Sequence, residues 1–108
     1  MAVAFSLEHK VAIYASSDLK SWIHVSEFGN TGLLGLQWEC PNLVEVPVEA
    51  STSTMWLLTV GITAGASANG GSTTQYFPGF FDGTTFTAVD SIIRTVDFAD
   101  EAYAGHFF

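Results

Sequence analysis

The sequence predicts an all-β protein made of short antiparallel strands. Runs of apolar, aromatic and β-branched residues recur along the chain, and polar or glycine-containing turns separate them at spacings of about eight to twelve residues. No segment carries the spacing of apolar residues that an amphipathic helix requires. The dipeptide Asp82-Gly83 stands between two aromatic runs and is a strong hairpin signal. Together these observations favour a sandwich, a barrel or a propeller.

The first part of the chain is predicted to be a three-stranded meander, with strands at residues 1–5, 10–15 and 22–28. Residues 16–21 are rich in Ser and Asp, whose side chains bond nearby backbone groups and favour a turn. The third run alternates, placing Trp22 and His24 on one face and Ile23 and Val25 on the other. This alternation is typical of a strand with one face towards a core.

The second part begins with a glycine-containing loop, residues 29–35, which leads to Trp38-Glu39-Cys40-Pro41 as an element of its own. Four further strands are predicted, at residues 43–48, 55–62, 75–81 and 85–89, followed by a short run at 92–96 and another strand opening at 103–108. Pro47 marks the end or the edge of its strand, since proline cannot donate to a ladder. A loose repetition of strand, polar turn and aromatic return strand indicates a repeated four-stranded unit, as in propeller blades.

Charge excludes several classes of partner. Only 13% of the 108 residues are charged, against about a quarter in a typical soluble domain. The net charge is −8, with Lys10, Lys20 and Arg94 as the cations. Such a surface repels phosphate backbones, so nucleic acid is excluded as a partner and an anionic membrane surface is disfavoured. No apolar run reaches the length of about 18 residues that a membrane-spanning helix needs.

Cysteine and histidine usage predicts neither a disulfide nor a metal site. Cys40 is the single cysteine, and His9, His24 and His106 lack ligand spacing. Cys40 is expected to be a packed thiol that modulates Glu39, because no histidine lies close to it in sequence to activate a nucleophile. No cofactor is predicted.

Glu39 is the candidate for acid chemistry. By itself a glutamate beside a tryptophan is more often a strand-end carboxylate than a catalytic group. The apolar side chains of Trp38 and Pro41 nevertheless favour its protonated form, as a general acid requires. Trp38 is open to two interpretations, a core residue or a platform for a sugar. The other large aromatic residues are expected in the core: Trp22, Trp56, Tyr76, Phe77, Phe80 and Phe81.

The motifs and their order resemble glycoside hydrolase family 32, and its fungal members in particular. They are Ser-x-Asp-Leu-Lys-Ser-Trp at 16–22, Trp-Glu-Cys-Pro-Asn-Leu at 38–43, Gln-Tyr-Phe-x-Gly-x-Phe-Asp-Gly-x-x-Phe at 75–86, Val-Asp-Phe at 96–98 and Tyr-Ala-Gly at 103–105. The resemblance covers the whole chain. It implies part of a five-bladed β-propeller whose active site lies in the central funnel.

The resemblance also implies roles for individual residues. Glu39 matches the general acid/base, Cys40 modulates it, and Asp97, Trp38 and Tyr103 match positions that contact substrate. Ala99 and His106 depart from the family pattern, which has Gly and usually Gln there. The family's nucleophile motif, Trp-x-Asn-Asp-Pro-Asn-Gly, and its Arg-Asp-Pro motif are absent from these residues.

The chain is therefore expected to be a fragment of a retaining hydrolase of β-fructofuranosyl linkages. Residues 1–28 would be outer strands of one blade, 29–97 the complete next blade, and 98–108 the start of a third. Retention needs two carboxyl groups about 5–5.5 Å apart, so the chain alone should be inactive. A fructosyltransferase fragment, a non-catalytic carbohydrate-binding module and a purely structural β-module remain alternatives.

The family further implies sucrose or fructan as the substrate and a secreted or vacuolar location. Exposed blade edges would favour self-association of the isolated chain, because unpaired strands and apolar faces promote aggregation.

Overall fold

A computed structural model describes the backbone of residues 2–5 and the whole of residues 8–35, 37–48, 52–63 and 73–96. In this part of the chain seven strands form two antiparallel sheets, and the all-β prediction is confirmed. The strands are β1 (Ala2–Phe5), β2 (Lys10–Ala15), β3 (Ile23–Gly29), β4 (Gln37–Pro47), β5 (Thr54–Thr63), β6 (Thr73–Phe81) and β7 (Phe86–Ala88).

The first sheet is the predicted meander, in the order β1-β2-β3. Val11 pairs with Phe28, and the register between β2 and β3 shifts after Ile13. The turn that joins these strands is built by Asp18, whose Oδ1 accepts hydrogen bonds from the backbone N–H groups of Lys20 (2.8 Å) and Ser21 (2.9 Å). An aspartate that satisfies two backbone donors fixes a tight turn, as the Ser- and Asp-rich sequence predicted.

The second sheet has the order β4-β5-β6-β7. The structure corrects one element here: Trp38, Glu39, Cys40 and Pro41 lie inside β4, an 11-residue strand, rather than before it. The register between β4 and β5 shifts between Glu39 and Asn42. Such a β-bulge admits Pro41, because the residue without an N–H falls where the ladder is already interrupted.

The run at residues 92–96 is not a strand of its own. Thr95 forms an isolated bridge to Gln75, and backbone bonds join Tyr76 N–H to Arg94 O (3.0 Å) and Val96 N–H to Thr74 O (2.9 Å). The segment thus continues the edge of β6 that β7 begins. The predicted hairpin at Asp82 connects β6 to β7.

The core lies between the two sheets. Val11 and Ile13 of the first sheet meet the following buried residues of the second: Trp38, Leu58, Val60, Ile62, Phe77 and Phe86. Phe28 closes the contact, with its ring edge-on to Phe77 (5.0 Å) and to Phe86 (5.2 Å). Strand β1 lies beside β4, and β3 beside β7. The two antiparallel sheets thus pack face to face, as neighbouring blades of a propeller do.

Of the aromatic residues predicted in the core, two are exposed, and the others are buried (Phe77) or half-buried (Trp56, Tyr76 and Phe81). Phe80 is 64% exposed and Trp22 is 38% exposed. Phe80 points away from the core because Phe77 and Gly79 occupy the inward positions of β6 and alternation sends Phe80 to the other face. Trp22 precedes β3 and so has no place in its ladder. In this part of the chain we find no helix long and apolar enough to span a membrane.

Candidate active site

Glu39 lies immediately before the bulge of β4. Its neighbour across the ladder is Gly61 of β5. Gln37 is two residues away and therefore on the same face of the strand, and its Nε2 donates a hydrogen bond of 2.6 Å to Glu39 Oε1. This short bond fixes the carboxylate relative to the strand.

Cys40 follows with a left-handed backbone, φ +48°. Its carbonyl oxygen accepts a bond from the side-chain amide of Asn42 at 3.4 Å. The Cys40 thiol is free and half-buried. Among the described residues no three Asp, Glu, His or Cys side chains stand close enough together to hold a metal ion.

Trp38 takes the core position rather than that of a sugar platform. Its side chain is 0% exposed, and its ring packs against Phe77 and edge-on to His9 at centroid distances of 6.2 and 6.3 Å. The indole Nε1 donates to the carbonyl oxygen of Leu33 at 3.0 Å. A ring without a free face cannot stack on a ligand, so the geometry favours the core interpretation over contact with substrate.

Gln75 holds the loop in front of β4, a role that the sequence did not predict. This side chain is completely buried. Its Oε1 accepts from Leu33 N–H (3.0 Å), and its Nε2 donates to Leu33 O (2.8 Å). The amide thereby pairs with both polar groups of one backbone unit, as a neighbouring strand would. The available signal was a glutamine at the start of the aromatic run 75–81.

Gly32 allows the loop to approach this amide. Its φ is +72°, and a Cβ at this position would stand 2.6 Å from Gln75 Oε1 and 3.0 Å from Phe77 Cζ. The loop is also bound at its ends, through Asn30 N–H to His9 O (2.9 Å) and His9 Nε2 to Gly35 O (3.2 Å). The segment that leads into the strand of Glu39 is therefore tied to both sheets.

The pKa shifts of carboxyl groups that the structure reveals belong to aspartates in turns. Hydrogen bonds from Arg94 and from Ile92 N–H lower the pKa of Asp90 from 3.8 to about 2. Backbone N–H groups lower the pKa of Asp18, chiefly that of Ser21, and the pKa of Asp82, chiefly that of Thr85. These carboxylates stabilise connections between strands.

A groove of about 620 Å³ also opens between the two sheets, but Glu39 is not among its lining residues. Aromatic side chains of Tyr14, Trp22, Trp56 and Phe81 line it, beside Asn42 from the far side of the bulge. Because Glu39 does not line it, we do not assign the groove to the candidate site. Of the other residues expected at the site, Asp97 and Tyr103 lie outside the described residues.

Comparison with known families decides the classification. Residues 1–108 match the model of the glycosyl hydrolases family 32 N-terminal domain. The chain belongs to this family. The resemblance derived from the motifs is thus confirmed, and the family is one of glycoside hydrolases.

Relatives of this family 32 chain include Invertase 2 of Saccharomyces cerevisiae, which is 50% identical over 105 residues covering 96% of the chain and 20% of the relative. An extracellular exo-inulinase of Meyerozyma guilliermondii is 44% identical over 108 residues, covering 100% of the chain and 21% of the relative. The chain spans about one fifth of the length of these relatives.

Solved structures agree. The β-fructofuranosidase of Schwanniomyces occidentalis, complexed with fructosyl-erythritol, matches with a TM-score of 0.90 and 43% identity over 96% of this chain and 20% of that one. The exo-inulinase of Aspergillus awamori gives a TM-score of 0.80 and 45% identity over 85% of this chain and 18% of that one. The fold is therefore that of part of the five-bladed propeller that the family resemblance implied.

Proposed function

We propose that this chain is part of the catalytic propeller of an enzyme that cleaves β-fructofuranosyl linkages, with Glu39 as its general acid/base. The observation that carries the proposal is the placement of Glu39: next to a β-bulge, and bound by Gln37 at 2.6 Å. A carboxyl group fixed on a rigid strand suits proton transfer, because the donor must be held within hydrogen-bond reach of the leaving oxygen.

The ligands of related proteins support fructosides as the substrate class. Structures of the Schwanniomyces occidentalis enzyme contain fructose, fructosyl-erythritol and fructosylnystose. A site that accepts these compounds recognises a terminal fructosyl unit. We propose the same for the site to which Glu39 belongs, with sucrose or a fructan as the substrate.

In the proposed reaction Glu39 protonates the glycosidic oxygen while a second carboxylate attacks the anomeric carbon. The bond to the leaving sugar breaks and a fructosyl-enzyme forms. Glu39 then takes a proton from water, which displaces the enzyme carboxylate. Gln37 keeps the Glu39 side chain in one rotamer through both steps. The second carboxylate comes from outside these 108 residues, so we expect the isolated chain to release no fructose from sucrose.

The division into blades is part of the proposal. The described strands form one three-stranded and one four-stranded sheet. We assign residues 1–28 to outer strands of one blade, 29–97 to the next complete blade and 98–108 to the start of a third. We further propose that Asp97 and Tyr103, which lie outside the described residues, contact the substrate.

The test is a graft. In Saccharomyces cerevisiae Invertase 2, the segment that matches this chain is replaced by the corresponding residues of the chain; we call the product the grafted enzyme. We expect it to release fructose from sucrose, and Glu39→Gln to lower kcat by about 10²- to 10⁴-fold. Glu45→Gln is the matched control, since Glu45 is an exposed glutamate on the same strand and should tolerate the change.

A grafted enzyme that unfolds cooperatively yet is inactive would refute the proposal, as would full activity of the Glu39→Gln variant. The ratio of free fructose to free glucose separates two outcomes of the same chemistry. A ratio of about one indicates hydrolysis, and a deficit of fructose indicates transfer to an acceptor sugar.

A further inference from the structure

Cys40 adopts a backbone conformation that its residue type disfavours. A φ of +48° lies in the left-handed region, where residues other than Gly, Asn and Asp are uncommon. A residue in such a conformation at a candidate site suggests that the conformation itself is needed.

The conformation coincides with an extra residue in β4. Glu39 pairs with Gly61 and Asn42 with Thr59, so β4 advances by three residues where β5 advances by two. The surplus lies at Cys40-Pro41. Here Cys40 turns its carbonyl towards the Asn42 side chain (3.4 Å), and Pro41 has no N–H to leave unpaired.

The extra residue changes which side chains share a face. Trp38 pairs with Ile62 and Leu43 pairs with Leu58, and all four belong to the core between the sheets. Trp38 and Leu43 are five positions apart, and in a regular strand residues at an odd separation lie on opposite faces. Without the bulge, the strand could bury one of them only by turning the other away.

The face of β4 on which Glu39 lies depends on the same bulge. Glu39 lies on the face opposite Trp38, beside Gln37 and across from Gly61. A strand that kept Leu43 in the core without the bulge would turn Trp38 out and would turn Glu39, together with Gln37, into the core. The face on which the carboxylate lies is thus set by the residue that follows it.

We infer that Cys40 is a positioning residue that acts through its backbone: its left-handed conformation forms the bulge that holds Glu39 on the face opposite the core, and its thiol is dispensable. The inference rests on the proposed function only in taking Glu39 as the acid. It differs from the expectation that Cys40 modulates Glu39 through sulfur.

A matched pair of variants in the grafted enzyme separates backbone from thiol. Cys40→Ser removes the sulfur and keeps the size and branching of the side chain. Cys40→Thr differs from Cys40→Ser by a single methyl group, which makes the residue β-branched and so poorly suited to positive φ. We expect kcat of the Ser variant to stay within about threefold of the parent and that of the Thr variant to fall about tenfold or more.

Two further readouts accompany this pair. The pH dependence of kcat/KM should be the same in the Ser variant and the parent, because no thiol effect is lost. Cys40→Asn should be at least as stable as Cys40→Ser in urea, since Asn tolerates left-handed backbone best among non-glycine residues. This comparison decides the question even if the Thr variant does not fold.

Equal kcat in the Ser and Thr variants would overturn the inference, and so would a Ser variant as impaired as the Thr variant or an Asn variant less stable than Ser. If the grafted enzyme itself proves inactive, the proposed function fails but the inference is still tested. Amide exchange at Glu39 and Asn42 must then be faster in the Thr variant than in the Ser variant, and equal rates would refute the role of Cys40.

Discussion

The substitution Gln75→Leu tests whether a buried amide holds the loop before β4. The Gln75 side chain is 0% exposed and makes two hydrogen bonds to Leu33, of 3.0 and 2.8 Å. Leucine has a similar volume but no polar atom. Leu33 O keeps the bond from Trp38 Nε1, whereas the bond that Leu33 N–H makes to Gln75 is lost.

The expected magnitude follows from this difference. A buried donor left unsatisfied costs about 1–3 kcal/mol, and losing the second bond costs about 1 kcal/mol. We therefore expect the loop to be destabilised by about 2–4 kcal/mol, which corresponds to faster exchange of the Leu33 amide by roughly 30- to 1000-fold.

Hydrogen exchange of the grafted enzyme, followed by mass spectrometry, measures this effect. Gln37→Leu is the control, because the Gln37 side chain donates its hydrogen bond to Glu39 and not to the loop. It should leave exchange at Leu33 unchanged. If exchange at Leu33 in the Gln75→Leu variant stays within threefold of the parent, the amide does not hold the loop and the reasoning is wrong.

Three other substitutions have definite outcomes. Gly32→Ala should lower the free energy of unfolding in urea by about 2–3 kcal/mol, because its Cβ would clash with the buried amide of Gln75. Gly83→Ala is the control: Gly83 also has positive φ but nothing within 4 Å of a Cβ, so this change should cost only about 1 kcal/mol. Equal losses in the two variants would exclude the clash. Gln37→Leu should lower kcat of the grafted enzyme about tenfold without changing its stability, and an unchanged kcat would show that the proposed acid does not need this donor. For the bidentate pair of Asp90 and Arg94 (2.7 and 2.9 Å), the depressed pKa means that ionised Asp90 stabilises the fold above its ordinary pKa of 3.8 and that this contribution is lost as pH falls to about 2. The difference in urea midpoint between the grafted enzyme and its Asp90→Asn variant should therefore shrink as pH falls from 4 to 2, and a difference as large at pH 2 as at pH 4 would refute the assignment.

Local patterns predicted the strands well because the residue types that favour a strand lie within a few consecutive positions. Runs of apolar, aromatic and β-branched residues located β2, β5 and β6 to within about two residues, and Asp82-Gly83 located a hairpin. The family and the candidate acid came from short motifs in a fixed order. None of these inferences depends on which residues are in contact between the two sheets.

The errors arose where distant residues decide the structure. The strand predicted at residues 43–48 begins instead at Gln37, because the bulge that admits Pro41 is defined only by pairing with β5. The amide of Gln75 meets Leu33 across 42 residues of sequence. The sequence permits both a core and a site interpretation of Trp38, because its burial depends on Phe77 and His9, which contact it only in the folded chain.

These long-range contacts explain why the proposed acid lies on a core strand. Trp38 and Glu39 are consecutive, so one is anchored in the core while the other faces the opposite side. The indole and the amide of Gln75 meet at the same carbonyl, that of Leu33, and thus join the core to the loop. A carboxylate on such a strand loses little freedom when substrate binds, because folding has already fixed its backbone. The arrangement also couples stability to activity: a substitution that loosens Trp38 displaces its neighbour Glu39, whereas replacing the Glu39 carboxylate leaves the core intact.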